Sequence, residues 1–95
     1  MEFEWDFTKE EESIKKHNVS FVEAMETFSD PQALLLEDDK HSQLEERNYW
    51  VGKTAKGRVL TTRFTMRRNK IRIIGSAEWR KFRRLYNEAT KSKKS

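Results

Sequence analysis

Residues 70–86, KIRIIGSAEWRKFRRLY, constrain the fold most tightly, because an apolar strand signal runs into a basic amphipathic helix signal with almost no room between them. Ile71, Ile73 and Ile74 are β-branched and dense enough for a strand with a buried face, and the two-residue period sends Arg72 to the side opposite Ile71 and Ile73. Gly75 permits a sharp turn, Ser76 is a good helix N-cap and Glu78 suits the first turn, so the sequence predicts a helix from near Ala77. At about 100° per residue, Trp79, Phe82, Leu85, Tyr86 and Ala89 share one side, while Arg80, Lys81, Arg83 and Arg84 spread over the other. One side is expected to pack and the other to face solvent with four positive charges.

Upstream, Phe3 and Trp5 alternate with Glu2 and Glu4, as in a short edge strand. Thr8 with Glu11 has capping-box spacing, which predicts a helix from about Lys9 to His17, ended by Asn18 and touching the rest of the protein mainly through Ile14. Ser20 with Glu23 repeats the signal for a second helix through Phe21, Ala24, Met25 and Phe28, stopped by Ser29, Asp30 and Pro31. Strands are expected at Ala33 to Leu36, Arg47 to Lys53, Arg58 to Met66 and from Lys70, with turns at Thr54 to Gly57 and at Arg67 to Asn69. In the Arg58 strand, Leu60, Thr62, Phe64 and Met66 share one face and Val59, Thr61, Arg63 and Thr65 the other. Short links between successive strands favour an antiparallel meander, so the expected fold is α+β: an antiparallel sheet, two N-terminal helices and one C-terminal helix. Residues 1–90 form one domain in this reading, and 91–95 a flexible basic tail.

Charge is distributed unevenly. Residues 1–48 hold 14 acidic and 5 basic residues, a formal charge of −9, and residues 49–95 hold 2 acidic and 15 basic, a charge of +13. The acidic half is too small to cover the basic one, which points to a polyanion as partner. With no cysteine there is no disulfide, thiolate nucleophile or zinc–cysteine site. No apolar run approaches the ~20 residues of a membrane span and no signal-like N-terminus is present, so a cytoplasmic protein without membrane contact is expected.

A polyanion partner can be held or cleaved, and cleaving a phosphodiester that has a neighbouring hydroxyl, without a metal, needs a base for that hydroxyl, an acid for the leaving oxygen and cations for the charge on pentacoordinate phosphorus. Arg63, Arg72 and Arg80 come from two adjacent strands and the following helix and can converge on one phosphate, with Arg67, Lys81, Arg83 and Arg84 holding the polyanion around it. A solvated basic face is the plainer account of any one of them. His17 and His41 are the only imidazoles. His17 fits a helix C-terminal cap better than a catalyst, whereas His41, in the charged segment Glu37 to Glu46, can swing toward the sheet. Glu46 beside Arg47 is a candidate base or a surface ion pair, and Tyr86 a proton donor or a core residue. Asp38, Asp39 and His41 are a weak metal signal, better explained as a solvated loop, and no glycine-rich phosphate loop or other cofactor motif is present.

Ordered segments along nearly the whole chain, EFEWD, KKHNVSFVEA, FSDP, HS, EER, Gly52, GRVL and IRIIGSAEWRK through Tyr86, resemble the BrnT toxins of bacterial type II toxin–antitoxin systems. The chain departs from that pattern at Ser13, at Met66 and in reading IIGSA where the family often has IISAR. The resemblance implies a RelE-like fold, RNA cleavage that blocks growth, and neutralisation by a BrnA-type antitoxin whose ribbon-helix-helix domain, rather than the toxin, contacts operator DNA. The residues alone leave two other classes open: a nucleic-acid-binding module without catalysis, in which Trp50 or Trp79 stacks a base, and a protein-interaction subunit that docks a basic partner on its acidic half.

Overall fold

The computed structural model describes residues 1–37 and 48–92. Its elements are β1 (Glu2–Trp5), α1 (Phe7–His17), α2 (Phe21–Glu26) running into a 3₁₀ turn (Thr27–Ser29), β2 (Leu34–Glu37), β3 (Asn48–Lys53), β4 (Val59–Arg67), β5 (Lys70–Ala77) and α3 (Arg80–Ser92). The expectations for His41, Glu46 and the possible metal ligands Asp38 and Asp39 fall outside the described residues.

The α+β class is as expected, and β2 to β5 form the antiparallel meander. The sheet as a whole is mixed, in the order β1-β5-β4-β3-β2, because β1 lies parallel to β5. Arg68 and Asn69 make the β4–β5 turn, both with positive φ (52° and 66°), the pattern of a type I′ hairpin. One sheet face packs against α2 and the 3₁₀ turn through Phe21, Ala24, Phe64, Ile71 and Ile73, with Phe3, Trp5, Phe28 and Trp50 around them. Phe28 stacks on Trp50 at 4.8 Å and meets Phe64 edge-on at 5.3 Å. The other face meets α3, where Val51, Val59 and Tyr86 are buried beside Leu34, Leu36 and Phe82. Gly52 lets the 3₁₀ turn approach: a Cβ there would lie 2.8 Å from Thr27 O, the carbonyl that accepts from Trp50 Nε1 at 2.8 Å.

Three local expectations are corrected. Helix α3 begins at Arg80 rather than Ala77, because Ser76 and Ala77 stay paired with Thr62 and Thr61 of β4 and the Ser76 hydroxyl meets Thr62 Oγ1 at 3.0 Å instead of capping a helix. Gly75 is accordingly a strand residue, not a turn. Helix α1 starts two residues earlier than Thr8/Glu11 implied, since the Asp6 carboxylate accepts from Thr8 N at 2.7 Å and Lys9 N at 3.4 Å. Its inward residue is Ser13, while Ile14 is 46% exposed. The Asn18 left-handed cap (φ 55°) and the Ser20/Glu23 capping box form as the sequence indicates, and α3 continues past residue 90 to Ser92.

A buried tyrosine ties α3 to the loop after the 3₁₀ turn. Tyr86 is 2% exposed and its hydroxyl donates to Asp30 Oδ2 at 2.5 Å, while the other Asp30 oxygen accepts from Gln32 N and Oδ2 also accepts from Lys53 N. Burial pushes the Asp30 carboxyl up, but these hydrogen bonds and the Lys53 charge outweigh it and hold it below its ordinary value. Burial first, and then the Asp30 carboxylate, push the Tyr86 hydroxyl up to about 12.

Two outcomes follow for stability. Phe21→Ala, at 0% exposure, is expected to cost about 3–5 kcal/mol, and Trp79→Ala, at 41% exposure and outside the helix, clearly less, as read by urea unfolding. Asp30 and Glu23 are held below their ordinary 3.8 and 4.5 in the folded chain, so the unfolded chain takes up protons first and their stabilisation is lost as pH falls through and below that range. Tyr86 acts at the other end: the folded chain keeps a proton that the unfolded chain releases near 10.0, so stability drops as pH rises from there toward about 12. Asp30→Asn should flatten the acid limb and Tyr86→Phe the alkaline one in urea midpoints measured against pH.

Candidate active site

Strand β1 pairs with β5 only as far as Trp5 opposite Ile73, which leaves residues 74–77 of β5 without a neighbour on that side. Helix α1, reached from β1 through Asp6 alone, lies along this open edge. Ser13 fastens it there: its buried hydroxyl lies 2.7 Å from Val19 O and 3.1 Å from Ser76 O, with one proton shared between two carbonyls. Glu10 supports the same corner, accepting from Trp5 Nε1 at 3.2 Å and from Phe21 N at 2.9 Å.

A cleft of about 200 Å³ opens where α1, the free end of β5 and the start of α3 meet. Lys9, Glu12, Ser13, Lys16 and His17 form its α1 wall, Thr61 and Arg63 of β4 with residues 74–77 of β5 its floor, and Trp79 the far wall. The register explains why Arg63 reaches it. Arg63 pairs with Gly75 while Phe64 pairs with Ile73, so Ile74 is an extra residue on β5, and such a bulge re-aims the side chains beside it. Opposite Arg63, a Cβ on Gly75 would meet nothing within 4 Å, so the glycine keeps the floor low. Among the described residues, buried Arg63 Nε and Thr61 Oγ1 find no hydrogen-bond partner, two unsatisfied polar atoms at the cleft floor. Trp79 is 41% exposed and rests on Tyr49 (6.0 Å) and Phe82 (5.7 Å), leaving an aromatic surface at the rim.

Of the residues singled out from the sequence, Arg63 lies in this cleft, as do Trp79, named as a base-stacking surface, and His17, read as a helix cap. Arg72 points away from Ile71 and Ile73 as the alternation requires, but it donates to Glu4 Oε2 at 2.8 Å across the β1–β5 pair. Arg80 lines a separate hollow on the outer side of α3 with Arg83, Arg84, Asn87, Glu88 and Lys91. Tyr86 lines a third depression with Asp30 and Lys53. Lys81 is exposed on α3, its Nζ 5.7 Å from the Phe82 ring centre, and Arg67 is exposed at the end of β4. The sequence reading missed His17, Lys9, Glu12, Lys16 and Ser13 as a group. Their spacing, 9, 12/13 and 16/17, is one stripe of a helix, and that shared polar stripe was the available signal.

Cations divide into two sets. Arg58 is paired with Glu23 and Glu78, Lys70 with Glu2 at 3.5 Å and Arg72 with Glu4. Arg63, Arg80, Lys81, Arg83 and Arg84 have no ion pair among the described residues, so the cleft floor and α3 both carry unpaired positive charge. No described helix is long and apolar enough to cross a membrane.

No curated protein matches the chain. A family model described as "Ribonuclease toxin, BrnT, of type II toxin-antitoxin system" matches residues 5–82, a span holding β1's end, both N-terminal helices, the whole meander, every residue lining the cleft and the first turn of α3. The chain therefore belongs to the BrnT family of ribonuclease toxins of type II toxin–antitoxin systems.

Proposed function

We propose that this chain is a metal-independent endoribonuclease that arrests growth by cleaving RNA in the cleft between α1 and Trp79. The observation that carries this reading is the meeting there of an imidazole (His17), a carboxylate (Glu12) and the cations Arg63, Lys16 and Lys9 beside an exposed tryptophan. Glu12 and His17 supply the base and acid of the reaction: one removes the 2′-OH proton, the oxygen attacks the adjacent phosphorus, and the other protonates the departing 5′ oxygen, leaving a 2′,3′-cyclic phosphate. Arg63 and Lys16 stabilise the charge that builds on the phosphoryl oxygens, and the planar fork of Arg63 suits two of them at once. Trp79 offers a stacking surface for a neighbouring base. Arg80, Lys81, Arg83 and Arg84 hold the strand beyond the cleft, with Arg67 as a further contact from the hairpin. Arg72, neutralised by Glu4, serves the β1–β5 pair in this reading. A ribbon-helix-helix antitoxin of the BrnA type is the expected antagonist in the cytoplasm and supplies the contact with operator DNA.

Induced expression is expected to stop growth with loss of intact RNA, and co-expression of the antitoxin to restore both; soluble accumulation with normal growth and intact RNA would overturn the toxin reading. In purified form, cleavage should persist in EDTA. His17→Ala or Arg63→Ala should lower single-turnover cleavage by about 10²–10³-fold. Arg83→Ala and Arg84→Ala should instead weaken RNA binding and flatten its salt dependence, by about 0.7 in log–log slope for each single-strand phosphate that is no longer neutralised. RNA bound without cleavage by the unaltered chain would favour a binding module.

A further inference from the structure

Arg58 lies just before β4 and does not line the cleft, yet its guanidinium joins both of the cleft's walls. Nη2 donates to Asn18 O at 3.1 Å, the carbonyl of the left-handed residue directly after His17. Nε donates to Glu78 Oε1 at 2.5 Å, the side chain directly before Trp79. Nη1 donates to Glu23 Oε2 at 2.6 Å, a carboxylate already fixed by the α2 capping box. One planar group thus spans the end of α1, the start of α2 and the segment between β5 and α3, adding to the Ser13 and Glu10 contacts a tie that reaches Glu78. Hydrogen bonding to Glu78, set against partial burial, raises the affinity of Arg58 for its proton, and the burial of Glu23 is outweighed by Arg58 and the Ser20 amide, so both of these groups carry their charges at neutral pH.

We infer that Arg58 is a positioning residue for RNA cleavage: by holding Asn18 O and Glu78 together it sets the gap between His17 and Trp79, and so the alignment of substrate across the cleft. This rests on the cleft being the active site. Three features favour positioning over simple stabilisation. The side chain is 25% exposed, and its partners Glu23 and Glu78 are 29% and 41% exposed, a degree of solvation at which ion pairs add little to stability. Each donor is aimed at a different segment, which a lysine ammonium on a flexible stem does not reproduce. Both anchored residues are sequence neighbours of cleft residues, so a small shift at either one moves a wall.

The test uses the full chain with Arg58→Ala, Arg58→Lys, Glu78→Ala, Glu78→Gln and, in the cleft itself, Arg63→Ala, each confirmed as folded by circular dichroism at the assay temperature. Single-turnover cleavage of an RNA oligonucleotide is measured at saturating enzyme, affinity is measured with the same oligonucleotide carrying a 2′-deoxy substitution, and 5-fluorotryptophan ¹⁹F NMR reports the tryptophans separately, with Trp79 assigned by Trp79→Phe. Arg58→Ala, Arg58→Lys and Glu78→Ala are expected to slow cleavage by about 10–100-fold, the scale of an ångström-sized misplacement, with affinity changed by less than about threefold. Glu78→Gln, whose amide oxygen still accepts from Arg58, should restore most of the rate. The Trp79 resonance should shift or broaden in the slow variants while those of Trp5 and Trp50 stay in place. Folded Arg58→Ala cleaving at the unaltered rate, or a rate loss that Glu78→Gln fails to rescue, would overturn the inference while leaving the cleft as the active site. Arg63→Ala cleaving normally would overturn the cleft assignment instead, and slow cleavage by Arg58→Ala in that case would show that Arg58 acts elsewhere.

Discussion

Strand β1 has four residues and β5 has eight, and from that mismatch the cleft end of the molecule follows. A strand edge without a neighbour exposes unpaired backbone groups and invites pairing with another chain. Here α1 covers it, but a helix cannot supply the missing ladder. The Ser13 hydroxyl ties the helix to the edge, touching a loop carbonyl and a strand carbonyl at once, and a cleft lies between α1 and the end of β5. A longer β1 would pair with residues 74–77 and fill the space in which His17, Arg63 and Trp79 now meet.

The acidic N-terminal half does more than balance charge. Glu2, Glu4 and Glu23 are placed against Lys70, Arg72 and Arg58, so the cations of the β1–β5 pair and of the β4 entrance find partners within the chain. Arg63 in the cleft and Arg80, Lys81, Arg83 and Arg84 on α3 have no ion pair among the described residues. A formal net charge of +4 thus conceals a helix with four such cations in its first five residues, suited to a phosphate backbone.

Much of the architecture was legible because it depends on local patterns. The alternation that separates Leu60, Thr62 and Phe64 from Val59, Thr61 and Arg63 holds in the sheet, and the Ser20/Glu23 box and the Asn18 cap form where their residue types place them. Ser76 shows the limit of that approach: its local preference for capping a helix loses to a ladder with β4 that only the folded sheet provides. The cleft was harder to see. His17 had a sufficient local explanation as the last residue of a helix, and nothing near it in sequence indicates Arg63 or Trp79, which arrive through the parallel β1–β5 pair. Arg58 was hidden for the same reason, since its partners Asn18, Glu23 and Glu78 lie on both sides of it and far away along the chain. Arg72 and Arg80, adjacent in sequence terms to one turn, are separated once Gly75 proves to be strand and the helix starts later.

The parallel pairing of Glu2 with Lys70 also bears on when the cleft is completed as the chain is made. Contacts between distant parts of a chain form late, because the intervening loop must first be closed. During synthesis α1 emerges early with His17, Lys16 and Lys9, but the strand it leans on, the carbonyl that Ser13 grips and the Trp79 wall are all made some sixty residues later. A nascent chain that stops before β5 has one wall of the cleft and only the Thr61 and Arg63 part of its floor. Completion of the cleft is therefore tied by topology to the synthesis of β5 and of the residues up to Trp79.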